Sequence, residues 1–323
     1  MIQTQNPFFE NNHTPHGTVP FNRIAVEHYA PAIREGIRRQ NEEIDAIVCN
    51  PAPADFQNTI LALELSGELL RRAETVFDNL LSAETNDAMQ ELAKELMPLL
   101  SEHANNITLN ERLFERVKTA YEHRYDEALT AEQRKLTEDT YEGFVRSGAN
   151  LQGADKEKYR ELSRQLSLLT LQFSENNLKE TNDYQLVLTD ESQLKGLPES
   201  AIEAARETAK EKGQEGWIFT LQAPSYVPFL TYADNHELRR ELYIAYNTKC
   251  THPNDYNNLD IVKQLVNTRL EIARLLGYKD YASYKLERRM AQNSANVYHL
   301  LSQLLEAYKP TALKEYAEVQ SLA

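Results

Sequence analysis

Residues 155–180 read DKEKYRELSRQLSLLTLQFSENNLKE and set Tyr159, Leu162, Leu166, Leu169 and Phe173 three or four positions apart. That spacing puts the five side chains on one stripe of a helix with 3.6 residues per turn. No Gly or Pro interrupts the run, so a helix from about Asp155 to Glu180 is predicted. Upstream, Phe56, Ile60, Leu63, Leu70, Phe77 and Leu80 predict one helix from about Asp55 to Leu81. Met89, Leu92, Leu96, Leu99 and His103 form the stripe of the next. Thr108-Leu109-Asn110-Glu111 and Thr130-Ala131-Glu132-Gln133 both read as capping boxes, in which hydroxyl and side-chain carbonyl each satisfy an end amide. The first opens a helix with Leu113, Val117 and Tyr121 inward; the second opens one that Gly148 closes.

Downstream the period changes. Apolar residues alternate in Tyr184-Gln185-Leu186-Val187-Leu188-Thr189, and Trp217-Ile218-Phe219-Thr220-Leu221 is a second β-favouring run. Short strands near 184–189 and 216–221 are predicted, separated by a helix from Pro198. Helices resume with Ile261, Leu265, Thr268, Ile272 and Leu275, closed by Gly277. The last helix starts near Ser294 and carries Val297, Leu301, Leu304, Tyr308, Ala312, Val319 and Leu322, with Pro310 a candidate bend. Its register runs on through Ala323 with no stop signal, a pattern expected alike of a natural end that frays and of a truncated chain. The expected fold is mainly α, a multi-helix array with two short β-strands. Its expected parts are an extended arm over 1–25 pinned by Phe8 and Phe9, a helical region over 26–180, and a helical region with a β excursion over 181–323.

The 323 residues are 41% hydrophobic and 26% charged, with only 10 Gly and 12 Pro, which suits a large helical core. A formal net charge of −14 repels phosphate backbones and anionic bilayers, so neither nucleic acid nor membrane is an expected partner. No apolar run reaches the roughly 18 residues of a membrane span. The start, Met1-Ile2-Gln3-Thr4-Gln5-Asn6-Pro7, lacks the basic and apolar regions of a signal peptide. Cys49 and Cys250 are too few and too far apart for a disulfide framework. A cytoplasmic location is expected.

The sequence offers little chemistry. A zincin helix needs His-Glu-x-x-His, which projects two imidazoles to one metal. His236-Glu237-Leu238-Arg239-Arg240 comes nearest, but Arg240 stands where the second histidine belongs. His13 and His16 are split by Pro15, and His103 lies on an apolar stripe. Ser192-Gln193-Leu194-Lys195 matches a bare Ser-x-x-Lys string without its companion motifs. No catalytic, cofactor-binding or metal residue is assigned, and the chain alone is expected to bind no metal.

Longer runs say more. Asn6-Pro7-Phe8-Phe9, Pro20-Phe21-Asn22-Arg23-Ile24 and Glu27-His28-Tyr29-Ala30-Pro31-Ala32 resemble the opening of bacterial dipeptidyl carboxypeptidases. LTEDTYEGFVRSGANL (136–151), FSENNLKETNDY (173–184), PSYVPFLTYADNHELRRELYIAYNTK (224–249) and LLGYKDYASYKLERRMA (275–291) follow in order. The chain thus resembles the N-terminal region of the thimet oligopeptidase and peptidyl-dipeptidase family. The resemblance implies one half of a helical, clam-shaped zinc peptidase that hydrolyses short peptides, releasing C-terminal dipeptides or, alternatively, cutting internally. It implies a zinc that polarises the scissile carbonyl and a glutamate base, both carried by a C-terminal catalytic half that would be this chain's partner. It implies a channel-wall role for these residues and an inactive chain on its own. A stand-alone helical peptide-binding module is the competing expectation.

Overall fold

A computed structural model describes residues 6–10, 14–126 and 128–322. Short 3-10 turns at Pro7–Phe9, Pro15–Gly17, Phe21–Arg23 and Val26–His28 lead into α1 (Tyr29–Val48). There follow α2 (Ala62–Leu65), α3 (Glu68–Ala83), α4 (Asp87–Thr108), α5 (Glu111–Glu122), α6 (Ala131–Arg146) and α7 (Gly153–Asp183). Strand β1 (Leu186–Leu188), α8 (Glu199–Glu211) and β2 (Trp217–Phe219) come next. Then α9 (Ala223–Tyr232), α10 (His236–Asn247), α11 (Leu259–Leu275), α12 (Tyr281–Leu286) and α13 (Ser294–Leu322) complete the order. The mainly α fold with two short strands is as the periodicity predicts. The strands pair antiparallel, with Leu186 opposite Phe219 and Leu188 opposite Trp217, and they span less than the alternating runs suggested.

The chain divides into two compact units: residues 1–84, 98–165 and 267–323 in one, 85–97 and 166–266 in the other. In the first, Phe8 seals against Tyr29 (ring centroids 5.5 Å) and Tyr29 against Phe77 (5.1 Å), so Phe8 does pin the N-terminal segment. Residues 1–5 and 11–13 of the expected arm lie outside the described residues. Helices α1 and α3 cross at Gly36, where a Cβ would stand 2.7 Å from the Leu70 Cα, so only glycine permits the approach. A further core gathers Ile44, Ile47, Phe56, Ile60, Leu113, Val117 and Phe144. In the second unit, Leu186, Leu188, Phe219, Leu221, Phe229 and Leu242 pack together, with Phe219 edge-on to Phe229 at 4.6 Å.

Two local expectations are corrected. The single helix predicted from Asp55 to Leu81 is broken: a π-helical turn, Phe56–Leu61, runs into α2, which stops at Leu65. The chain then turns through Gly67 in the left-handed region (φ 71°), where its N–H donates to Glu43 Oε2 at 2.7 Å. The predicted capping box at Thr108 is not formed either. Thr108 ends α4 with its hydroxyl on Ala104 O, and Asn110 caps α5 by accepting from the Leu113 N–H at 3.0 Å. The second box forms as predicted: Gln133 N–H to Thr130 Oγ1 at 3.2 Å and Thr130 N–H to Gln133 Oε1 at 3.0 Å.

Candidate functional site

The sequence-flagged side chains do not converge. His236 begins α10 exposed to solvent, its Nδ1 3.5 Å from its neighbour Glu237. His103 is buried, its Nε2 2.8 Å from Gln40 Oε1, and burial pushes its pKa down, so it is a neutral core histidine. His16 sits in an exposed turn, and His13 lies outside the described residues. Cys49 is exposed at the end of α1. Cys250 is buried, and burial, then the Glu180 carboxylate, push its thiol up to about 11, which makes it a poor nucleophile. Ser192 lies in a 3-10 turn capped by Asp190, and Lys195 pairs loosely with Asp234 at 3.7 Å.

What the fold does bring together are the longer runs quoted above. In the first unit, residues 136–151 meet residues 275–291. The Arg146 guanidinium donates to Tyr278 Oη at 3.1 Å and Tyr284 O at 2.6 Å, and pairs with Glu287. Tyr278 donates to Glu287 Oε2 at 2.7 Å, and Arg288 pairs with Asp139 and Glu142. The Arg146 guanidinium also stacks over the Tyr284 ring at 4.5 Å. This clamp ties the segment that leads into α13 onto α6. In the second unit, residues 173–184 meet the loop after α10. Lys249 donates to Thr181 Oγ1 at 3.1 Å, and Glu180 accepts from the Cys250 N–H.

Beyond the clamp, α13 presents an unusual surface. None of its residues is buried. Val297 is half-buried, but its exposed large apolar side chains range from 41% at Leu304 to 88% at Leu322, with Leu301, Leu305, Tyr308, Tyr316 and Val319 between. These residues recur at helical spacing over the whole helix. The described residues of this chain leave that apolar stripe uncovered.

Comparisons with known proteins supply the frame for these features. Over 322 residues, 99% of its length, the chain is 36% identical to the dipeptidyl carboxypeptidase of Escherichia coli K12. Over 314 residues it is 32% identical to oligopeptidase A of the same organism. Residues 229–323, from α9 through α13, match the profile of peptidase family M3. The chain belongs to peptidase family M3. It spans about half the length of the curated relatives it matches, 47% of the dipeptidyl carboxypeptidase and 46% of oligopeptidase A. A plant member, the probable cytosolic oligopeptidase A of Arabidopsis thaliana, is 26% identical over 99% of the chain.

M3 peptidases are metallopeptidases, and a metal needs several His, Cys, Asp or Glu donors gathered at one point. Among the described residues no three His, Cys, Asp or Glu side chains gather to hold a metal ion. The nearest string fails chemically as well, since Arg240 occupies the position one turn beyond His236 and a guanidinium has no lone pair to give. The described residues of this M3 chain do not fit zinc. Among the described residues no helix is long and apolar enough to cross a membrane.

Proposed function

We propose that these 323 residues supply the non-metal part of a zinc-dependent M3 peptidase acting on short peptides, and that its reaction is release of C-terminal dipeptides. The observation that carries this reading is the 36% identity to a dipeptidyl carboxypeptidase across 99% of the chain, in a sequence without His-Glu-x-x-His. In this reading the metal, the general base and the groups that grip the substrate's C-terminus belong to polypeptide outside these residues. That polypeptide covers the apolar stripe of α13, and this chain forms one wall of the path along which the peptide lies. Internal cleavage is the second reading, favoured by the 32% identity to oligopeptidase A over 96% of the chain.

The test is reconstitution. The chain is mixed with a separately made polypeptide that carries the rest of the family's length, His-Glu-x-x-His included, and zinc is added. A short amino-blocked peptide is the substrate, and products are read by mass spectrometry. Neither part alone should cleave, and the mixture should release C-terminal dipeptides. Internal fragments instead would select the oligopeptidase reading. Full activity of the second polypeptide without this chain, or metal-dependent cleavage by this chain alone, would overturn both.

A further inference from the structure

Within the second unit, between the C-terminal end of α7 and one face of α10, lies an open cavity of about 320 Å³. Glu241, Ile244, Ala245 and Thr248 stand at i, i+3, i+4 and i+7 on α10, so their side chains share the face that lines it. Glu180 and Tyr184, one turn apart on the α7 side, line it too, with Leu221 and His252. Its walls are mainly apolar.

Most of its polar groups are already engaged. Glu180 accepts from the Cys250 N–H and from Asn254 Nδ2 at 3.5 Å. The Thr248 hydroxyl donates to Ile244 O at 2.7 Å, so its oxygen is left as the acceptor for His252 Nε2–H at 3.1 Å. Two groups are not engaged. Tyr184 Oη is buried without a hydrogen-bond partner, and the exposed Glu241 side chain makes no hydrogen bond or ion pair. Burial, then the Glu241 charge, push the Tyr184 phenol up to about 12, so at neutral pH it keeps its proton beside a carboxylate. A phenol oxygen and a carboxylate both accept, and among the described residues nothing donates to either. A buried hydroxyl such as Tyr184 Oη is seldom left so. Glu241 and Ile244 border the cavity and are themselves exposed, so their side chains can move aside for an entering group.

We infer that this cavity binds an alkylammonium group, with the ammonium donating to the Glu241 carboxylate and Tyr184 Oη and the aliphatic stem lying on Leu221, Ile244 and Ala245. A lysine side chain and a free peptide amino terminus both carry that chemistry. The assignment stands on the cavity alone and does not require the peptidase reading.

The experiment is titration of the 323-residue chain with n-pentylammonium chloride, read by calorimetry and by amide chemical shifts. One saturable site is expected, with shifts concentrated at residues 180–184 and 241–252. 1-Pentanol should bind about tenfold more weakly, the weight of one charge-assisted contact. Glu241→Gln should weaken pentylammonium by a similar factor of about ten. Tyr184→Phe should weaken it about threefold while leaving the melting temperature unchanged or higher, because it removes an orphan buried hydroxyl. Nα-acetyl-lysine amide and leucine amide then separate the sources: tighter binding of the first assigns a side chain, of the second an amino terminus. Equal binding of pentanol and pentylammonium, an unchanged Glu241→Gln affinity, or no saturable binding at all would overturn the assignment.

Discussion

Leu301→Lys, Leu304→Lys and Leu305→Lys, made together, put three charges on α13 where the leucines are 53%, 41% and 62% exposed. Full burial of a leucine is worth roughly 1.5–3 kcal/mol. About half of that is still to be gained at each position, roughly 1 kcal/mol apiece, or about 3–4 kcal/mol for the three. At about 1.4 kcal/mol per tenfold, the triple variant should bind whatever covers α13 at least about a hundredfold more weakly. Its effect on folding of the chain itself should be small, within about 1 kcal/mol, because the sites are on the surface. Leu242→Ala in the second core is the contrast: that side chain is fully buried, and the change should cost about 2–5 kcal/mol. Urea denaturation followed by far-UV circular dichroism measures the folding cost. Sedimentation velocity over a concentration series measures the association, since the isolated chain should self-associate through the same stripe. A triple variant that unfolds as readily as Leu242→Ala, or that associates like the parent, would refute the reasoning.

Arg146→Ala should remove the Arg146 half of the clamp on residues 278–288, leave Glu287 without its guanidinium, and destabilise by about 1–3 kcal/mol. Hydrogen exchange should rise over 278–292 and stay unchanged at Phe229 and Leu242; uniform exchange across the chain would speak against a local latch. Tyr159 is held up at about 12, by burial first and by the neighbouring Tyr284 second. The unfolded chain ionises this group near 10, so its contribution is intact below pH 10 and is lost between about pH 10 and 12, up to roughly 2–3 kcal/mol. Chemical denaturation at stepped alkaline pH should show that decline, and Tyr159→Phe should make it shallower, with the Tyr184 contribution remaining. The dialysed chain should hold no stoichiometric zinc by elemental analysis; one tightly held zinc per chain would turn attention to His13, His16 and His236.

Local physics was legible in the sequence. The stripe of Tyr159, Leu162, Leu166 and Leu169 is α7, the Thr130–Gln133 box caps α6, and the alternating runs became β1 and β2. These features depend on residues within a turn or two of each other, so periodicity and capping chemistry suffice. The long runs carried the family resemblance for a different reason, because they matched as strings, without any knowledge of what they touch.

The tertiary structure decided the rest. The turn at Gly67 is tied to Glu43, 24 residues away, whose carboxylate accepts from the glycine N–H, a contact that sequence spacing does not show. The choice of Asn110 over Thr108 as cap turned on where α4 stopped, since Thr108 is its last residue and Asn110 precedes the first residue of α5. Arg146 and Glu287 are 141 positions apart, so the clamp became visible only when α6 and the segment around α12 were folded together. The cavity is the extreme case. Tyr184 and Glu241 are each unremarkable in the sequence; what distinguishes them is that folding seals one, leaves the other unpaired, and sets both against an apolar wall. Helical register is written in residues a few positions apart, whereas being left without a partner depends on everything the chain has folded against that group.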